Sequence, residues 1–246
     1  MKIVAIDTSA SYACAALVED GRLLHEVTDL SGHAHSSTLL PMIERMLTLH
    51  ALKPRDVDLY VCAIGPGSYT GLRIGVATVK GLTAGTKIPA AGVSSLEALA
   101  VNCRFFEGVI CPVIDARRDQ MYSALFSCHN GVLTRLTDDA IMPLTELDKL
   151  LKKTGRVTLP VGDGYEKTAA KLTYGKLKPL PREYRNARAY GTALLGYERY
   201  LADPSFAGDG SALLPRYIKI TQAEEERTRS LAAAGDSLSG GGRKKQ

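Results

Sequence analysis

Gly65-Pro66-Gly67-Ser68-Tyr69-Thr70-Gly71-Leu72-Arg73-Ile74-Gly75 is the stretch around which the rest of the chain is organised. It follows the apolar run Leu59-Tyr60-Val61-Cys62-Ala63-Ile64, which reads as a buried strand. It leads into Leu72, Val76, Val79 and Leu82, whose 3.6-like spacing predicts a helix over 70–85. A glycine-rich loop therefore joins a strand end to a helix start. Gly65 and Gly67 open backbone angles closed to other residues, and Pro66 stiffens the turn. Ser68 or Thr70 can cap the helix, and amide groups at its start attract an anion. Gly71 and Gly75, with Ala77, Gly81 and Gly85 beyond them, make a smooth stripe of small residues. Such a stripe suits either close packing inside the domain or a helix interface with another protein.

Before this stretch the chain reads as three meandering strands, at 3–8, 12–18 and 22–29, with Asp20-Gly21 as the hairpin turn. Leu39, Leu40, Ile43, Met46, Leu47 and Leu49 then trace an amphipathic helix. A short strand near 89–93 and a helix from Ser94 come after the glycine stretch and its helix. A second copy of the opening pattern starts near 109. Laying residues 6–17 over 114–125 without a gap sets Ile6 on Ile114, Asp7 on Asp115, Ala16 on Ala124 and Leu17 on Leu125. Each copy is a strand ending in Asp, a turn, a returning strand and a further hairpin signal, the second being Asn130-Gly131. The matching order of elements predicts a duplicated α/β fold. A helix at 143–153, a strand at 157–161, a helix after Asp163-Gly164 and a helix at 188–202 complete the second half.

The chain has 246 residues, enough for one large domain or two of ~120. No apolar run approaches the ~18 residues of a membrane span, and Asp7 comes too early for a signal peptide. The five cysteines, at 14, 62, 103, 111 and 128, form no CxxC pair and read as reduced, buried thiols of a cytoplasmic protein. The net charge of +5 is unevenly spread: −4 over 1–148, +8 over 149–188, −3 over 189–226 and +4 over 227–246. The basic segment 149–188 suits an anionic partner such as RNA, or a plain solvated face. From about Glu226 the Ser/Gly/Ala composition predicts a disordered tail.

Two strand–Asp–turn–strand units facing a cleft resemble the actin/Hsp70/sugar-kinase (ASKHA) group of RNase H-like folds. The expected lobes are 1–104 and 105–220, the last helix able to pack back on the first, with 221–246 as tail. More specific stretches resemble the TsaB (YeaZ) family. They are Ile6-Asp7-Thr8-Ser9, His35-Ser36 before Leu39-Leu40-Pro41, the glycine stretch itself, Val93-Ser94-Ser95-Leu96-Glu97-Ala98-Leu99 and Asp115-Ala116-Arg117-Arg118. The resemblance is strong over 1–127 and loose over 128–220.

That resemblance implies a subunit that is not catalytic on its own, working in the synthesis of threonylcarbamoyladenosine in tRNA. The implied partners are a TsaD-type transferase paralogue, a TsaE-type ATPase and, through the complex, tRNA, with a homodimer when the chain is alone. The transferase paralogue carries a His-x3-His metal pair where this chain has Ser95 and Leu99, so no metal site is expected. Glu97 reads as a surface helix residue, and His33 and His35 as polar residues at a helix start. Asp7, Thr8, Ser9, Gly65, Gly67 and Asp115 are the candidates for weak ATP or ADP contact. The second turn lacks Gly, Ser or Thr, Gly162-Asp163-Gly164 is the nearest thing to an adenosine motif, and no cofactor is expected to bind tightly. Arg117 and Arg118 can neutralise an anion or pair with Asp119. The partner interface is expected on Leu39, Ile43, Met46, Gly71, Gly75 and Val79. The rival readings are an ATP-dependent phosphotransferase of the same fold, a metallopeptidase and a stand-alone RNA-binding protein.

Overall fold

The computed structural model describes residues 1–31 and 35–218. His33 and the segment 221–246 lie outside the described residues. The first lobe opens with β1 (Lys2–Asp7), β2 (Ala13–Glu19) and β3 (Arg22–Asp29), followed by α1 (His35–Leu49), β4 (Leu59–Gly65), α2 (Tyr69–Thr83), β5 (Pro89–Ser94) and α3 (Ser95–Val101). The second lobe holds β6 (Gly108–Asp115), β7 (Gln120–Ser123), β8 (Phe126–His129), β9 (Val132–Arg135), β10 (Ala140–Pro143), α4 (Leu144–Thr154), β11 (Thr158–Val161) and α5 (Tyr165–Lys171). Last come α6 (Ala189–Ala202) and the two-residue β12 (Gly208–Asp209).

The first sheet has the order β12-β5-β4-β1-β2-β3. β1 lies at its centre, antiparallel to β2 and parallel to β4. It is apolar along almost its whole length because helices cover both faces of the sheet. On one face Val4, Ile6, Tyr60 and Cys62 pack with Leu39, Ile43, Met46, Val76 and Val79 of α1 and α2. On the other, Ile3, Ala5 and Val61 meet Ala193 and Leu195 of α6. The fit is close enough that a Cβ on Gly196 would fall 2.4 Å from Val61 Cγ2.

The second sheet repeats the plan around β6. β11 runs parallel to β6 as β4 runs parallel to β1. The returning strand is split into β7 and β8, which pair with opposite halves of β6. The two hairpin turns match in backbone as well as in sequence. Asp20 and Gly21 have φ 49° and 78°, and Asn130 and Gly131 have 49° and 74°, the paired positive values of a type I′ turn. α4 covers one face of this sheet through Leu144, Leu147 and Leu151. α3 lies between the lobes, with Leu96, Leu99 and Ala100 packed beside Ile110, Ile114 and Phe126. The fold is a duplicated, two-lobed α/β architecture of the RNase H-like, actin-like kind.

Candidate functional site

The lobes enclose a cleft of about 650 Å³. It is lined by the β1–β2 turn, the glycine loop, the end of β6, Asp163 and the segment Arg216, Tyr217 and Ile218. Of the six nucleotide-contact candidates, Ser9, Gly67 and Asp115 line it and Asp7, Thr8 and Gly65 do not. That placement has a physical cause: the first-lobe turn is committed to holding α2. Thr8 is fully buried and its hydroxyl donates to the Gly71 carbonyl at 2.7 Å. Ser68 N–H donates to the Ser9 carbonyl at 2.7 Å, and Ser68 Oγ caps α2 by accepting from Gly71 N–H. Gly65, at φ 126°, faces the chain's last described segment, where a Cβ would lie 2.3 Å from the Arg216 carbonyl oxygen. Asp7 is fully buried, with Oδ1 accepting from Ser9 N–H at 2.8 Å. Burial pushes its carboxyl above the usual range, against the lowering effect of the Ser9 hydrogen bonds, and nearby Asp163 pushes the same way.

The second-lobe turn is closed on itself. Asp115 Oδ1 accepts from Arg117 N–H at 2.8 Å and Oδ2 is paired with Lys167 Nζ at 2.5 Å. Arg117, Arg118 and Asp119 all adopt left-handed φ values, 64°, 50° and 59°. Arg117 and Arg118 leave Asp119 to Lys171, whose Nζ lies 2.7 Å away. Asp163, marked in the sequence only by the glycines on either side of it, ties the lobes together. Its carboxylate accepts from Asp115 N–H at 3.0 Å and from Ser11 N–H at 3.3 Å. The flanking Gly162 and Gly164 sit against the Val113 backbone, where a Cβ on either would fall 2.2 or 3.0 Å from the Val113 oxygen. The Gly-Asp-Gly signal therefore marks close packing onto β6. The second-lobe acid is thus paired with Lys167 across a partly exposed salt bridge.

A second polar cluster occupies the region where the resemblance sets Ser95 and Leu99 against a histidine pair. Ser95 Oγ accepts from Gly65 N–H at 3.1 Å, and Leu99 is core. Glu97 is a half-buried hub and not a surface residue: it binds Arg135 at 2.7 Å and Arg199 at 2.6 Å. Burial pushes its carboxyl up, but those two guanidinium groups outweigh it and hold the group below the usual carboxylate range. The side chain of Asp139, wholly inaccessible, accepts from Ser94 Oγ at 2.8 Å and pairs with Arg135 at 2.7 Å and Arg216 at 3.3 Å. Among the described residues no group of three or more His, Cys, Asp or Glu side chains is arranged to hold a metal ion. His35 begins α1 and its Nε2 lies 3.2 Å from the Ala10 carbonyl. The five cysteines are free and buried, and burial pushes the Cys103 and Cys111 thiols up to about 12. No helix among the described residues is long and apolar enough to cross a membrane.

The residues expected to meet a partner all face inward. Leu39, Ile43, Met46 and Val79 belong to the first-lobe core, and Gly71 and Gly75 are buried against Thr8. The outward faces of α1 and α2 carry other residues. They include Leu40, Glu44, Arg45 and Leu49 on α1, and Tyr69, Arg73, Ala77 and Gly81 on α2. A Cβ on Gly81 would meet nothing within 4 Å. The exposed small-residue stripe is therefore Ala77–Gly81, on a different arc of the helix from Gly71–Gly75.

Known proteins with this geometry are consistent with one another. The family model described as TsaD: tRNA N6-adenosine threonylcarbamoyltransferase matches residues 27–235. The tRNA threonylcarbamoyladenosine biosynthesis protein TsaB of Bacillus subtilis is 34% identical over 229 residues, covering 91% of this chain and 96% of the relative. TsaB of Escherichia coli is 29% identical, covering 68% and 73%. Among solved structures, YeaZ from Pseudomonas aeruginosa superposes with a TM-score of 0.70 at 23% identity, covering 88% of this chain and 99% of that one. By sequence along nearly its whole length, and by fold, the chain belongs to the TsaB (YeaZ) family.

Proposed function

We propose that the chain is the non-catalytic, partner-binding subunit of a machine that makes N6-threonylcarbamoyladenosine in tRNA. Its B. subtilis and E. coli relatives are named for that biosynthesis. The observation that carries the non-catalytic part is the Lys167–Asp115 pair, with Asp115 also bonded to Arg117 N–H. A phosphotransferase of this architecture needs both strand-end acids free to organise magnesium and phosphate. Here one is neutralised and the other, Asp7, is buried out of the cleft. A nucleotide held from one lobe alone binds weakly. The partner is a TsaD-type transferase seated on the outward face of α1 and α2, and a TsaE-type ATPase joins the assembly. The same face pairs two copies when the transferase is absent. The work is cytoplasmic.

Two measurements test the reading. Co-expression with a TsaD-type protein should give a stable complex in size-exclusion chromatography, and transfer of threonylcarbamoyl to tRNA should require both chains. Titration calorimetry of this chain alone with ATP and magnesium should show weak binding and no turnover. Rapid ATP hydrolysis or transfer by the chain alone overturns the proposal.

A further inference from the structure

The basic segment resolves into two parts with different fates. On the side of α5 four cations are occupied: Lys167 holds Asp115, Lys171 holds Asp119, Arg185 holds Glu166 and Arg188 holds Glu26, while Arg182 is exposed. On the side of α4 most are not. Lys149, Lys152 and Lys153 lie on the helix face opposite the buried Leu144, Leu147 and Leu151. Only Lys152 has an acid, Asp148 at 2.6 Å. Among the described residues no ion pair reaches Lys149, Lys153, Arg156, Lys176 or Lys178.

The fold gathers these charges. Asp148 Oδ1 accepts from Thr173 N–H and Tyr174 N–H, both at 2.9 Å, which pins the segment after α5 against α4. Tyr174 Oη donates to the Arg156 carbonyl at 2.5 Å. Thr158 N–H donates to the Lys176 carbonyl at 2.9 Å, and Lys178 N–H to the Thr158 carbonyl at 2.7 Å. Residues 156–158 and 176–178 therefore run side by side beyond the end of α4. Lys176 Nζ caps that end by donating to the Gly155 carbonyl at 2.8 Å. Six cations, Lys149, Lys152, Lys153, Arg156, Lys176 and Lys178, share one edge of the second lobe with two acids, Glu146 and Asp148.

We infer that this edge grips the phosphate backbone of a structured RNA. The inference rests on the preceding reading and deepens it: the RNA is the tRNA that the assembly modifies, and this chain supplies part of the grip. A row of lysines and an arginine neutralises phosphates and releases counterions without reading bases. Tyr174, the aromatic residue of this edge, is buried, so no ring is offered for base stacking. The edge belongs to the second lobe, whereas α1 and α2 belong to the first, so partner and RNA are held by different lobes.

The test uses the assembled complex and two triple variants of equal charge change. One removes Lys153, Arg156 and Lys178 from the edge, each →Gln. The control removes Arg22, Arg55 and Lys87, exposed on the first lobe, in the same way. tRNA affinity is measured against salt concentration, and complex formation by size-exclusion chromatography. The edge variant should bind tRNA more weakly at low salt, with a log–log salt slope shallower by about one for each phosphate it no longer neutralises. The control should keep the wild-type slope. An unchanged slope in the edge variant, or an equal fall in both variants, overturns the inference and leaves the partnership standing. A wild-type mixture that forms no complex overturns the partnership and the inference with it. Weaker binding to phosphatidylserine vesicles with unchanged tRNA binding assigns the edge to a membrane surface and overturns it too.

Discussion

Thr8 and Gly71 are in direct contact. The Thr8 hydroxyl donates to the Gly71 carbonyl at 2.7 Å, and a Cβ on Gly71 would lie 2.0 Å from the Thr8 carbonyl oxygen. Helix α2 therefore rests directly on the end of β1. A Cβ on Gly75, one turn on, would lie 2.6 Å from Thr8 Oγ1 and 3.3 Å from Cys62 Sγ. Gly71→Ala and Gly75→Leu should both destabilise the isolated chain. Overpacking of this kind costs about 1–3 kcal/mol, or a melting temperature lower by roughly 2–12 °C in a chain of this size. Thermal unfolding checks it, and an unchanged melting temperature for Gly75→Leu contradicts the packing described.

Gly81 gives the opposite expectation. Its missing side chain would point into open space on the outward face of α2. Gly81→Leu should leave the melting temperature of the isolated chain unchanged or slightly higher, because leucine favours helix over glycine. Against a close-packed partner helix, the same side chain should cost about 1–3 kcal/mol, which weakens pairing roughly 5- to 150-fold. Calorimetric titration with a TsaD-type protein reads this directly. Full affinity in a folded Gly81→Leu variant removes this face from the interface.

The ionic cluster between the lobes should divide sharply by burial. Asp139 has no exposed side-chain surface and three polar partners, Ser94, Arg135 and Arg216. Asp139→Ala leaves the half-buried Arg135 guanidinium with Glu97 as its remaining acid and Ser94 Oγ without its acceptor, and should cost about 1–3 kcal/mol. Arg216 is more than half exposed and meets Asp139 at 3.3 Å. Arg216→Ala should cost no more than about 1 kcal/mol through that pair. Denaturant unfolding of both variants compares them, and equal destabilisation would argue against a buried hub.

Asp7 sets a pH dependence of known sign. Its folded-state value is raised above the ordinary 3.8 by burial, so the native chain binds the proton more tightly than the unfolded chain. The stability from protonated Asp7 is complete below 3.8 and is lost as pH rises through the folded-state value. Asp7→Asn removes this titration, while Asp163, raised in the same direction, stays in both proteins. Wild type should therefore gain stability relative to Asp7→Asn as pH falls toward 4. A stability difference that is flat from pH 4 to 8 would contradict a buried, shifted carboxyl.

The strands and helices of the first lobe are legible in the sequence because their signals are local. Apolar runs bounded by Asp, Gly and Pro mark β1, β4 and β5, and the two Asx-Gly pairs mark the hairpins. The direction in which the glycine stripe faces does not follow from its spacing alone. Gly71 and Gly75 share the helical arc of Leu72, Val76 and Val79, and small residues on an apolar arc face the core. The arc through Arg73, Ala77 and Gly81 is the outward one. Other features depend on pairs far apart in the chain. Asp115 is neutralised from α5, Asp139 is met by Arg216, and Asp163 links Asp115 to Ser11. No periodicity carries such contacts, since they join residues that only the folded chain brings together.

α6 has a consequence for how the protein is born. It is drawn from the end of the second half, yet it covers Ile3, Ala5 and Val61 of the first sheet. A ribosome delivers β5 and then about 100 further residues before α6 emerges. At about 5–20 residues per second, one face of the first sheet waits roughly 5–20 s without its cover. During that interval an apolar surface at the centre of the earliest lobe is open to chaperones and to other nascent chains. The architecture is duplicated, but its two copies are not made as independent beads: the last helix finishes the first lobe.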